Sequence, residues 1–365
     1  MDSPRGRIYL MGGLVDGTIP LSATTVQHFD RCLGCMACVT ACPSGVKYDR
    51  LIEQTRAHVE EQYERPFGER LQRALIFVTV PYPRRLRLAL TLTPPWLPGR
   101  LRPFAALKPP WRSVERPPEV TSAVGERRAR VGLLLGCVQR VVFGDVNTAT
   151  ARVLAAEGCE VVAPRGQGCC GALHLHAGRH AEGRRRAERL AQAFDGVDAI
   201  VVNAAGCGSH LKESELGTRV VDLNELLAEL GPRGERRELP IKVAYQDACH
   251  LGHAQGIRDA PRTVLQSIPG LELLEPAEQP ICCGSAGIYN LVQPAAAAEL
   301  GERKAAHVAA TGADAYASAN PGCLVQVSSY LRKARRGLPA LHPVELLDAS
   351  IRGVSADELI ATARR

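Results

Sequence analysis

The 365-residue chain is 45% hydrophobic with a net charge of +7, enough apolar material for two or three packed units. It has no export leader and no apolar run of the roughly 18 residues that a membrane span needs, which argues against secretion and transmembrane function. Thirteen cysteines in such a chain argue against a disulfide scaffold and for metal or redox use in a reducing, cytoplasmic setting.

Residues 1–29 open with polar turn chemistry that leads into a short apolar segment. There follows Cys32-Leu-Gly-Cys35-Met-Ala-Cys38-Val-Thr-Ala-Cys42-Pro43. Cysteines separated by two, two and three residues and closed by proline are the ligand run of a bacterial-ferredoxin [4Fe-4S] cluster. Two-residue gaps let neighbouring sulfurs converge on one side of a cubane. A zinc site or disulfide is the competing reading, disfavoured because zinc pairs come as separated C-x2-C units. In two-cluster ferredoxins the cysteine before proline ligates the other cluster. Cys32, Cys35 and Cys38 are therefore expected at one cluster, with Cys42 reaching toward a second whose remaining ligands would lie before residue 1. Residues 49–78 read as one helix with Leu51, Ile52, Val59 and Tyr63 on its apolar face. Residues 1–78 thus form a small helical cluster-binding unit.

Residues 79–128 read as a linker, since 10 of the 25 prolines and both tryptophans, Trp96 and Trp111, fall between 81 and 128. Between 81 and 130 there are 11 Lys/Arg against 3 Asp/Glu. The plain reading is a solvated surface strap. The sharper one is a docking strip over 81–116 for an anionic membrane surface or a partner subunit, with Arg84, Arg85 and Arg87 interleaved with Leu86, Leu88 and Leu90. No helix-turn-helix, finger or RNA-binding signature accompanies the charge, so nucleic acid is not the expected partner.

From residue 129 the pattern is α/β. Short apolar strands are predicted at 131–135, 160–163 and 199–203, with a helix near 145–157, and the pattern restarts at 242–245. The restart is an internal repeat, dividing the remainder into domains at 129–236 and 237–365. The first copy holds Cys137, Cys169-Cys170 before Gly171, and Cys207; the second holds Cys249, Cys282-Cys283 before Gly284, and Cys323. Strand ends in such sheets face one crevice, so the four sulfurs of a copy are expected to converge there. Each copy could hold an iron-sulfur cluster, a zinc ion, or free redox-active thiols. Cys159 has no counterpart and reads as a small buried hydrophobe. His250 and His253, like His174 and His176, are candidates as ligands or as hydrogen-bonding residues behind the sulfurs. No dinucleotide fingerprint, Walker A or nucleophile elbow is present, so an organic cofactor belongs on another chain.

These motifs resemble the iron-sulfur subunits of bacterial glycolate oxidase, within a wider cysteine-rich family that includes heterodisulfide reductase, lactate-utilisation and anaerobic glycerol-3-phosphate dehydrogenase subunits. The resemblance is carried by Asp2-Ser-Pro-Arg-Gly-Arg-Ile, Cys32 to Gly45, both Cys-Cys-Gly loops, Asn203-Ala-Ala-Gly-Cys207 and Asp247-Ala-Cys-His-Leu251. It implies a complex whose FAD-containing subunits oxidise glycolate, or D-lactate, to the 2-oxo acid. This chain, without a substrate site, would pass electrons toward quinone at the inner face of the cell membrane. Two departures stand out. The family carries another ferredoxin run just upstream of the segment at which this chain begins, so either translation starts before Met1 or one cluster and a ligand of the other are missing. The fullest cysteine-rich motif ends in C-x-x-C and holds non-cubane clusters, whereas Ala204 and Asn320 stand at the earlier position of that pair. Their presence counts against a heterodisulfide-reductase-like thiol enzyme.

Overall fold

The computed structural model describes residues 1–93 and 116–363. The N-terminal unit is helical. Helix α1 (Pro4–Val15) starts at Ser3, whose hydroxyl accepts the Gly6 N–H, and α2 (Ala23–Asp30) starts at Ser22, which accepts that of Thr25. The cysteine run occupies the loop after α2 and the short α3 (Ala37–Thr40), and α4 (Tyr48–Gln62) closes the unit. Leu10, Val26, Phe29, Cys32, Met36, Tyr48, Ile52 and Val59 form its core.

The single helix expected over 49–78 is instead two, α4 and α5 (Phe67–Thr79), because Pro66 cannot continue an i to i−4 ladder. At the break the buried Arg65 contacts Asp30 and Glu69 at 2.7 Å and Glu60 at 2.9 Å. Arg65→Met strips these carboxylates of their main buried counter-charge and leaves Arg73 among them, with Arg179 at 4.0 Å from Glu60. A loss of about 3–5 kcal/mol is expected, read as the shift of a urea unfolding midpoint.

Among its described residues, the range read as a linker holds two regular pieces. Helix α6 (Pro83–Leu92) buries Leu86 and Leu90 against Val141, Ala177 and Leu291, so those two leucines are interior, not part of a docking strip. Arg84, Arg85, Arg87 and Leu88 remain exposed. The rest of the strip, including Trp96 and Trp111, lies outside the described residues. Strand β1 (Val120–Thr121) pairs antiparallel with β3 (Cys159–Val162).

The two repeats are α/β domains of one topology. In the first, β2 (Ala129–Leu134) lies between β3 and β4 (Ala199–Val202), with β5 (Val220–Asp222) outside β4, giving the order β1-β3-β2-β4-β5. In the second, β6 (Ile241–Tyr245) lies between β7 (Leu271–Leu274) and β8 (Ala315–Ala317), with β9 (Ala340–Leu341) at the edge. Apart from β1 every pairing is parallel, as in Val131 with Val161 and Ala199, and Val243 with Leu273 and Ala315. Continuous apolar runs such as Ala199 to Val202 are buried on both faces, as strands covered by helices on both sides must be.

One core joins the sheets, running from Val131, Leu133 and Val201 to Val243, Tyr245 and Leu347. Helix α8 (Gly144–Ala156) packs there on α17 (Pro343–Arg352), joined by Arg152 and Asp348 at 2.6 Å. In each sheet the first parallel strand, β2 or β6, is flanked by the next two, so the connections diverge at its carboxyl end and open a crevice there.

Candidate metal centres

In the N-terminal loop, Gly34 (φ +67°) and Met36 (φ +61°) take left-handed conformations that fold the backbone around the first three cysteines. The Gly34 N–H points at Cys32 Sγ (3.4 Å), and the Tyr48 hydroxyl lies 3.6 Å from the same sulfur. Burial, then the proximity of Cys282, Cys32 and Cys38, pushes the Cys35 thiol up to about 12. Burial and Cys32 likewise raise Cys38. These three thiols form one group. Cys42 stands apart, held low by the main-chain N–H groups of Val46, Ser44 and Gly45.

Each repeat gathers its four cysteines at the carboxyl ends of its strands. Cys137 follows β2. Cys169 and Cys170 precede α9 (Ala172–His176), and Cys207 lies in the first turn of α11 (Ala205–Glu213). Cys137 and Cys169 are 3.6 Å apart, and Cys170 and Cys207 line the same cavity. In repeat 2, Cys249 opens a π-helical turn at 250–254, and Cys323 lies in the first turn of α16 (Pro321–Lys333). Cys249 and Cys282 are 3.9 Å apart, and Cys283 and Cys323 line the same cavity. The Gly171 and Gly284 N–H groups donate to Cys169 and Cys282 (3.5 and 3.4 Å).

One glutamine in each repeat ties the loop before the cysteine pair to the end of the central strand. Gln167 bonds Leu133 O and Leu135 N–H at 3.1 and 2.8 Å, and Gln279 bonds Tyr245 O and Asp247 N–H at 2.6 and 3.0 Å. Each side chain acts as one more peptide at the end of the central strand. The signal was their matching place, two and three residues before the pairs.

Sequence reasoning treated the repeats as separate sites. In the structure all eight cysteines line one cavity of about 200 Å³, closed on one side by Ile76, Val80 and Leu291. The near symmetry is direct: Ala205 N–H donates to Ala319 O at 3.1 Å, joining the starts of α11 and α16. Asn320, at one of the missing cysteine positions, donates to Cys323 Sγ (3.5 Å) and accepts from the Gly206 N–H (3.4 Å). Ala204 is buried at the other. Cys159 lies fully buried in β3, away from the cavity lining.

The two histidines after Cys249 take different places. His250 Nδ1 lies 3.5 Å from Cys249 Sγ, its ring packs on that of His176, and burial lowers its pKa to about 3, which keeps it neutral. His253 reaches across to the N-terminal unit, 2.7 Å from Thr40 Oγ1 and 3.0 Å from Pro280 O. His176 faces Glu53 at 3.6 Å, and His174 is buried beside Phe77.

Among the described residues no three Cys, His, Asp or Glu side chains stand as a ready single-ion site. The donor chemistry fits iron-sulfur clusters: thiols grouped in threes and fours, with main-chain N–H groups directed at sulfur, a recognised lever on cluster potential.

Residues 25–48 match the family described as 4Fe-4S binding domain, and 131–212 and 243–328 match the cysteine-rich domain. A Bacillus subtilis (strain 168) protein named "Probable glycolate oxidase iron-sulfur subunit" is 35% identical over 94% of this chain and 87% of its own length. The Escherichia coli (strain K12) glycolate oxidase iron-sulfur subunit is 33% identical over 96% and 88%. A subunit of the fumarate reductase (CoM/CoB) of Methanothermobacter marburgensis matches 60% of this chain at 35% identity, over 46% of its own length. In fold, a hypothetical protein from Helicobacter pylori aligns with TM-score 0.50 at 12% identity, covering 86% of this chain and 59% of that one. The chain carries a 4Fe-4S binding domain and two cysteine-rich domains, and it belongs to the family of glycolate oxidase iron-sulfur subunits.

Proposed function

We propose that this chain is the electron-transfer subunit of a flavin-dependent glycolate dehydrogenase complex, which oxidises glycolate or D-lactate to the 2-oxo acid. The supporting observation is spatial: the two quartets line one cavity, and the N-terminal unit that carries Cys32, Cys35 and Cys38 packs on repeat 2, with Thr40 bonded to His253 at 2.7 Å. When bound, iron-sulfur clusters carry electrons singly whereas the partner's flavin holds two, so a chain of them drains it stepwise. Cys32, Cys35 and Cys38 hold the first site, and the quartets Cys137, Cys169, Cys170, Cys207 and Cys249, Cys282, Cys283, Cys323 hold two more. Cys42 serves a neighbouring cluster outside this group. His250 orients Cys249, and the apolar wall of Ile76, Val80 and Leu291 excludes water. Quinone is the acceptor, reached at the inner face of the membrane. Among the described residues no helix is long and apolar enough to cross a membrane. Membrane contact in this reading is peripheral, through the 81–116 strip, where Arg84, Arg85 and Arg87 are exposed.

The test is iron, acid-labile sulfide and zinc per chain after anaerobic purification, with low-temperature EPR of the reduced protein. About eight to twelve irons with matching sulfide are expected if the quartets hold clusters as the first site does. Zinc without sulfide overturns the relay. The shared eight-cysteine cavity favours one second reading, thiol-disulfide chemistry between the repeats, which disulfide reduction by the isolated chain with a dye donor would reveal.

A further inference from the structure

Helix α5 is apolar on two sides. Ile76 and Phe77 are buried, and Ile76, with Val80 just beyond the helix, walls the eight-cysteine cavity. On the other side Phe67, Leu71, Leu75 and Val78 are 74, 47, 56 and 46% exposed. At 3.6 residues per turn their spacing places all four within an arc of about 80°. Ala74, also exposed, falls in the same arc, and no hydrogen-bonding side chain interrupts it. Among the described residues twelve large apolar side chains are exposed, and seven of them lie between 67 and 92. Soluble surfaces carry such residues singly, whereas a contiguous row marks a surface that something covers.

The rim of this face is cationic. From 66 to 93 there are five arginines and one acidic residue, Glu69, whose carboxylate is engaged by Arg65 and Arg73. Arg70 is exposed at the edge of the arc, and Arg84, Arg85 and Arg87 are exposed on α6. Arg85 is fixed against the face: its Nη1 donates to Val78 O at 3.0 Å, and its guanidinium lies 4.4 Å from the centre of the Tyr82 ring. Helix α6 adds Leu88 and Leu92, four residues apart on the side away from its buried Leu86 and Leu90.

The pattern selects the kind of partner. Protein interfaces carry about one hydrogen bond per 100–200 Å², and the arc offers no side chain for one. The acyl boundary of a bilayer asks for none, and anionic headgroups supply the charge that the arginines lack. We propose that the α5 and α6 face is the surface by which this chain lies on an anionic bilayer. Phe67, Leu71, Leu75 and Val78 enter the boundary between headgroups and acyl chains, and Arg70, Arg84, Arg85 and Arg87 sit on lipid phosphates. The inference deepens the relay reading and rests on it for its purpose. It moves the main contact from the leucines of the arginine-rich strip to α5, whose inner side walls the quartets. A bilayer-dissolved acceptor would then face the cavity across the width of one helix, about 10–12 Å.

The experiment is co-sedimentation of the anaerobically purified full chain with vesicles of phosphatidylcholine, alone or mixed with phosphatidylglycerol. Wild-type protein is expected to partition onto the mixed vesicles at least about tenfold more strongly, with binding that falls as salt rises. Leu71→Asn combined with Leu75→Asn should cut partitioning at least about tenfold at unchanged iron content. Phe67→Ser, in the first turn of α5, should act in the same direction and serves if the double variant does not fold. Arg84→Gln combined with Arg87→Gln should weaken the preference for phosphatidylglycerol. Val124→Ser, at an exposed apolar residue outside the face, should change nothing. If the asparagine variant and Phe67→Ser bind like wild type, the basic chain adsorbs by charge alone and the inference is overturned. Wild-type protein that ignores both kinds of vesicle also overturns it. The face then belongs to the FAD subunits if the asparagine variant no longer co-purifies with them, or to a second copy if that variant abolishes a wild-type dimer. Failure of the relay reading looks different: protein without iron and sulfide, whatever its binding to vesicles.

Discussion

Replacing Cys35 with serine is expected to abolish the N-terminal iron-sulfur signal and to reduce electron delivery to a quinone acceptor to background in the assembled complex. Cys35 is influenced by other thiols on two sides, with Cys32 and Cys38 on its own loop and Cys282 across the domain boundary, and burial with these neighbours raises it to about 12. Only a bound cation makes a thiolate favourable there. A serine hydroxyl, far less acidic than a thiol, stays protonated in the same place. Loss of residues that merely orient metal ligands already costs about 10–100-fold, so loss of a ligand is expected to exceed roughly 100-fold. Cys159→Ala is the matched control, since that thiol is buried in β3 away from the cavity lining and its loss should leave iron content unchanged. Undiminished turnover in Cys35→Ser would remove the N-terminal site from the electron path.

What was legible in the sequence followed from local rules. The cysteine run announces itself by spacing. The central strands announce themselves because Val-Gly-Leu-Leu, Ala-Ile-Val-Val and Lys-Val-Ala-Tyr are near-continuous apolar runs, and the repeat shows in the two Cys-Cys-Gly loops. What was not legible depends on tertiary company. An arginine-rich stretch with alternating leucines gave helix α6, whose Leu86 and Leu90 are buried only because the repeats supply a surface for them. The break at Pro66 was visible, but a hydrophobic face continuing on both sides concealed it. Most of all, Lys304 sits in Pro-Ala-Ala-Ala-Ala-Glu-Leu-Gly-Glu-Arg-Lys-Ala, where any periodicity argument assigns a lysine to solvent. Its burial is set by the loop at 278–279 folding over it, a contact between segments 25 and 26 residues apart. The merging of the quartets into one cavity is of the same kind: spacing places four sulfurs at a sheet's edge, but only packing of the two sheets turns the edges toward each other.

Gly171→Ala is expected to destabilise the protein by about 3 kcal/mol or more and to open the repeat 1 quartet, a structural rather than chemical route to losing a site. The residue has φ +93°, which side chains avoid at about 1–3 kcal/mol. The added Cβ would also lie 2.3 Å from Gly183 O, a main-chain atom in α10 (His180–Gln192) that cannot swing aside as a flexible side chain could. Either α10 withdraws or the Cys169-Cys170 loop lifts away from it. If the loop lifts, the 3.6 Å approach of Cys169 to Cys137 and the Gly171 N–H bond to Cys169 are lost together. Thermal unfolding should shift down by roughly 4 °C or more, with a matching rise in thiol labelling of Cys169 and Cys170 in metal-depleted protein. Gly284→Ala should behave alike but more mildly, because its Cβ meets Ala297 O at 2.7 Å at φ +89°. Gly168→Ala, three residues earlier with nothing within 4 Å of the new Cβ, should change neither quantity. Equal behaviour of Gly168→Ala and Gly171→Ala would mean that the loop tolerates displacement. The close approach of backbone to backbone would then not be what holds the paired cysteines at the mouth of β2.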